Sequence, residues 1–123
     1  AAEAATRTAA RGGGAPLSRS AVEGLKACLQ SVYYVPPGML DLGDLVLEYE
    51  VRVTEVGKII GRPRRVAPVG DLNRRQQSIA GAVRRALMRA QPDRAACFAA
   101  LPRDSYARWR TITIEFSSEG VSF

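Results

Sequence analysis

The stretch Leu45-Val46-Leu47-Glu48-Tyr49-Glu50-Val51-Arg52-Val53-Thr54-Glu55-Val56 decides how the rest of the chain is read. Leu45, Leu47, Tyr49, Val51 and Val53 fall on one side of an extended backbone, and Glu48, Glu50, Arg52 and Thr54 on the other. A period of two in β-branched, aromatic and charged residues is the pattern of a strand with one face on a core and one in water. Gly57-Lys58 supplies a turn, and Ile59 to Val66 returns as a second strand. Pro63 has no amide hydrogen, so that second strand is expected to be an edge or to pair on one side only near its end. Further on, Arg110 to Phe116 alternates again, with Ile112, Ile114 and Phe116 opposed to Thr111, Thr113 and Glu115. This predicts a third strand.

On either side of the hairpin the period changes to that of a helix. Val22, Leu25, Leu29 and Val32 recur at helical spacing with Cys28 on the same stripe. Ser18 or Ser20 can cap this helix, and Glu23 stands at the capping-box position. Pro36-Pro37-Gly38 ends it. A second helix is predicted from Leu72 to Ala90 behind an Asp71 cap, with Ile79, Ala82, Val83, Ala86, Leu87 and Ala90 as its buried stripe. The order helix, strand, strand, helix, strand predicts a small α+β domain. Its three-stranded antiparallel sheet carries the helices on one face.

At 123 residues, 46% of them apolar, the chain has material for one domain. The Ala-, Thr-, Gly- and Arg-rich start, with Gly12-Gly13-Gly14, reads as flexible linker over residues 1–17, leaving 18–123 as the folded unit. No apolar run reaches the ~20 residues of a membrane span, and residues 1–11 lack a signal-peptide core. Net charge is +6, carried by arginine apart from Lys26 and Lys58. That balance suits an acidic protein, a nucleic acid or an anionic surface equally.

Catalytic patterns are missing from the sequence. Without histidine there is no Ser-His or Cys-His pair and no imidazole ligand. Cys28 and Cys97 are too few for a structural zinc site and lack redox C-x-x-C spacing. They fit either one disulfide in an exported domain or two buried thiols in a reducing compartment. Glu48 and Glu50 share a strand face, but alternation of a solvated face accounts for them. No enzyme activity, metal or cofactor is expected. The arginines at 62, 64, 65, 74, 75, 84, 85 and 89 could follow a nucleic-acid backbone, yet no aromatic pair forms a stacking platform beside them.

A wider pattern runs through these elements. Cys28 precedes Pro36-Pro37-Gly38; the alternating strand is followed by Gly57 and Gly61-x-Pro63; Ala82-Val83-x-x-Ala86-Leu87 leads to Cys97-Phe98 and Leu101-Pro102. Tyr106-x-x-Trp109-x-x-Ile112-x-Ile114-x-Phe116 closes the series. From Leu17 to Phe116 this resembles the C-terminal domain of the TolA family, within the TolA/TonB C-terminal fold. The link Gln91 to Ala96 is longer than in that family, and Ser117-Ser118 replaces its usual acidic-proline ending.

The resemblance implies a periplasmic domain on an arm anchored in the inner membrane, part of the Tol-Pal system that supports outer-membrane integrity and division. It implies TolB as partner, through the TolB N-terminal segment, with TolQ and TolR acting on an upstream region. Colicins and filamentous phage coat proteins bind the same kind of domain in some bacteria. It also implies a disulfide between Cys28 and Cys97. The partner strand would add along Thr111, Ile112, Thr113, Ile114, Glu115 and Phe116. A TonB-type transducer engaging outer-membrane receptors is the alternative within the fold, and a basic nucleic-acid-binding domain is the alternative outside it.

Overall fold

Ser18 starts the first helix, α1 (Arg19–Val32), by accepting the Ala21 N–H on its Oγ at 3.1 Å. A hydroxyl there satisfies one of the first-turn amides that no helical carbonyl can reach. The Ser20–Glu23 capping box does not form; Ser20 Oγ lies 3.1 Å from Ser18 Oγ instead. The computed structural model describes residues 17–42 and 45–123. The predicted linker therefore lies, but for Leu17, outside the described residues, and Leu17 already packs against the core. Leu25, Leu29 and Val32 form the buried stripe of α1. The helix stops where Tyr33 turns to an extended backbone, and a 3-10 turn follows at Pro37–Leu42.

The alternating stretch is strand β1 (Leu47–Arg52), with Leu47, Tyr49 and Val51 buried and Arg52 exposed. It is shorter than the alternation suggested. Beyond it Val53 forms an isolated bridge to Ile59, and the chain turns through Gly57. Gly57 adopts φ +87, and a Cβ there would lie 2.5 Å from the Ala99 backbone nitrogen. Only glycine fits.

The return strand departs from the predicted Ile59–Val66. Ile60 N–H still donates to Arg52 O at 2.7 Å, but pairing resumes only at Glu50↔Arg64. Gly61, Arg62 and Pro63 thus bulge out opposite Val51. Three causes are visible. Gly61 takes a left-handed φ of +64 and Pro63 has no amide to donate. Ile59 also gives its N–H to the Gln91 side chain, at 2.9 Å, rather than to a strand. What remains is β2 (Arg64–Ala67), which lies at the sheet edge.

The second long helix, α2 (Arg74–Arg89), is capped by Asn73 and not by Asp71. Asn73 Oδ1 accepts the Gln76 N–H at 2.8 Å, and Gln76 Oε1 accepts the Asn73 N–H at 3.0 Å. That reciprocal pair satisfies two otherwise unpaired amides, which Asp71 stands too far upstream to do. Ile79, Ala80, Val83, Ala86 and Leu87 are buried, with Ala80 rather than Ala82 completing the stripe. Past the helix end the chain reverses to place Cys97 5.5 Å (Cα–Cα) from Cys28, and the two form a disulfide.

A one-turn helix, α3 (Tyr106–Trp109), leads into β3 (Thr111–Ser117), which inserts beside β1. Their register runs from Leu47↔Phe116 to Arg52↔Thr111. The expected three-stranded sheet is four-stranded. A further strand, β4 (Gly120–Ser122), folds back on β3, giving the antiparallel order β2-β1-β3-β4. Gly120 makes the reversal at φ +118, and Val121 and Phe123 bury on the helix side with the inward residues of β1 and β3. Three residues are too few to show a period.

Trp109, Phe98, Phe116 and Met39 are sealed in the centre of this single α+β core. Trp109 donates through Nε1 to Pro102 O at 2.8 Å, and Tyr106 through its hydroxyl to Val53 O at 2.7 Å. The first bond ties α3 to the segment just before it, and the second ties it to the residue that follows β1, where the neighbouring strand β3 begins.

Candidate partner-binding edge

Strand β3 owes its alternation to its position over the core: Ile112, Ile114 and Phe116 are buried, while Thr111 is exposed and Thr113 and Glu115 are half-buried on the far face. Its backbone has a separate polarity. Val53 N–H donates to Arg110 O at 2.8 Å, which fixes the hydrogen-bonding phase of the β1–β3 ladder. Because that phase alternates along an antiparallel pair, Ile112, Ile114 and Phe116 bond to β1. Thr111, Thr113, Glu115 and Ser117 turn their N–H and C=O groups the other way.

That outer side is divided. Glu115 and Ser117 face Ser122 and Gly120 of β4, and Ser122 Oγ lies 3.1 Å from Glu115 Oε2. Along Thr111 to Ile114, no strand pairs with the outer side of β3 among the described residues. Of the six predicted contact residues, four therefore border an open ladder and two border the chain's own β4. The residues that sequence reasoning missed are Val121 and Phe123, whose burial anchors β4. Glu119-Gly120 suggests a turn, but Val121-x-Phe123 is too short an alternation to be read as a strand from the sequence.

The opposite edge of the sheet is protected. β2 is flanked by Pro63 and Pro68, neither with an amide to offer, and carries exposed Arg64, paired with Glu50 at 3.3 Å. Prolines and charges at an edge discourage a visiting strand.

The arginines do not form one surface. Arg65 donates to the carbonyls of Pro68 and Gly70. Arg89 donates to Val32 O at 2.8 Å and lies 4.4 Å over the Tyr34 ring. Arg74, Arg75, Arg84 and Arg85 stand exposed on α2. Of the carboxylates on the open sheet face, Glu50 is held by Arg64, and Glu48 lies across the ladder from Glu115. No group of acidic or sulfur side chains that could hold a metal ion occurs among the described residues.

One tyrosine links the edge to the core. Tyr33 donates its hydroxyl to Ser117 O at 3.1 Å and packs edge-on against Phe116, with ring centroids 5.1 Å apart. Burial pushes its pKa up to about 12.

No protein-family model, curated protein or solved structure matches this chain.

Proposed function

We propose that this is a non-catalytic protein-binding domain that grips an extended partner segment along β3, in a periplasmic adaptor of the TolA type. One observation carries the reading: the outer margin of β3 from Thr111 to Ile114 is unpaired among the described residues, whereas the β2 edge is guarded by prolines and charge. Support also comes from the Cys28–Cys97 disulfide, which suits an oxidising compartment. The order of motifs shared with the TolA C-terminal domain favours TolB as the partner.

The grip works through main-chain hydrogen bonds, with neighbouring side chains setting preference. Thr111 and Thr113 each offer an N–H and a C=O. Four bonds at roughly 1 kcal/mol each supply about 4 kcal/mol before a flexible segment is ordered. Contact with this half of the edge alone is therefore weak. A partner that also takes Glu115 and Phe116 must displace β4, exchanging its ladder for a longer one.

The test is a titration of the 15N-labelled domain with a synthetic peptide of the TolB N-terminus from the same genome. Amide shifts concentrated at Thr111 to Phe116 and at Gly120 to Ser122 are expected. Silence there overturns the grip, and salt-dependent shifts confined to Arg74–Arg89 on adding an oligonucleotide would favour the nucleic-acid alternative.

A further inference from the structure

On the side of the sheet away from β4, β1, β2 and α2 enclose an open cleft of about 630 Å³. Tyr49 reaches it from β1, Arg65 from β2, Gln77 and Arg84 from α2, and Asp71 from the loop between β2 and α2. A volume of this size lies within the range of small-molecule sites, roughly 300–1,000 Å³.

Tyr49 is the informative residue. It is only 3% exposed, yet its hydroxyl has no hydrogen-bond partner among the described residues. Among the described residues no enclosed side-chain oxygen or nitrogen is left without a partner, so this hydroxyl is not sealed in the core and meets the cleft its side chain lines. A buried ring that presents a free phenol to a cavity offers a donor to whatever enters.

The charges beside it are set for an anion. Arg65 is held in place by two neutral carbonyls, those of Pro68 and Gly70, and no carboxylate among the described residues pairs with it. Its orientation is thus fixed while its charge stays uncompensated. Arg84 has no ion pair with the described residues either, and the small side chain of Ala80 lines the cleft with it and Gln77. Among the described residues that line the cleft, two guanidinium groups against the carboxylate of Asp71 leave a surplus of one positive charge. Guanidinium forks match the two oxygens of a carboxylate, a geometry that lysine does not provide.

We propose that this cleft binds a carboxylate group, held by Arg65 and Arg84 and receiving a hydrogen bond from the Tyr49 hydroxyl. The carboxylate could be that of a free small acid or the C-terminus of a peptide, since both present the same two oxygens. The site lies across the sheet from the β3 edge, and its occupancy does not depend on strand addition there.

Acetate, and the tripeptide Ala-Ala-Ala as free acid and as C-terminal amide, serve as probes. Each is titrated at constant ionic strength against chloride, following the Gln77 side-chain amide and the arginine Nε–H signals. Saturable shifts with acetate and the free acid, absent with chloride and the amide, are expected. Tyr49→Phe keeps the ring and should weaken binding about fivefold, and Arg84→Gln, at an exposed position, about tenfold. A free acid binding tighter than acetate identifies a peptide terminus as the ligand; equal affinities identify the free acid. Shifts that chloride reproduces, or that both variants leave unchanged, overturn the proposal.

Discussion

Gly57 and Gly61 show how differently two glycines of one hairpin are constrained. Both have positive φ, but a Cβ on Gly57 would strike the Ala99 backbone at 2.5 Å, while Gly61 opens on empty space. Gly61→Ala meets only the left-handed penalty of about 1 kcal/mol. Gly57→Ala adds a collision with main chain that cannot rotate away, and should cost about 3 kcal/mol. Urea denaturation of the two variants measures both. Tyr33 gives a second expectation. Its pKa of about 12 stands above the unfolded value near 10, because burial disfavours the phenolate. The unfolded chain therefore binds fewer protons between pH 10 and 12, and stability falls as pH rises through that window. The full loss is about 2–3 kcal/mol. A thermal midpoint that declines above about pH 10 in the parent, and less steeply in Tyr33→Phe, is the expected result. That glycine would shape this turn was legible in the sequence; that the obstacle is Ala99, far along the chain, was not.

At the scale of elements, β4 controls how much of β3 is available. Its pairing covers Glu115 and Ser117 and leaves Thr111 and Thr113 open. Native-state hydrogen exchange should therefore divide along one strand. The Thr111 and Thr113 amides should exchange fast, and those of Ile112 and Ile114, bonded to β1, slowly. Val121 is 3% exposed and holds β4 to the core. Val121→Ala should cost roughly 2 kcal/mol and speed exchange at Glu115 and Ser117 while leaving Thr111 and Thr113 unchanged. Equal exchange at all four positions would show that the division does not exist. The inward faces of β1 and β3 could be read from period two. The break in the second strand could not, since it depends on Gln91 capturing the Ile59 amide from a distant loop.

Across the whole molecule, the disulfide ties α1 to the segment after α2 over a sequence separation of 69 residues. A loop of that length corresponds to about 4 kcal/mol in the chain-entropy relation, a large part of what a domain this size possesses. Replacing both cysteines by serine should lower the unfolding free energy by that order, and reductant should lower the denaturation midpoint of the parent but not of the double variant. An unchanged midpoint on reduction would mean that the packing of α1 and α2 suffices alone. The sequence by itself determined the element types, the inward faces and the α+β class, because each rests on a repeat of two or 3.6 residues contained within a dozen positions. Only the tertiary structure decided that the C-terminal residues add a fourth strand, that they close half of the β3 edge, and that Tyr49, Arg65 and Arg84 share one cleft. Those are meetings between residues far apart in the chain. They depend on which surfaces bury together, and no local periodicity carries that information.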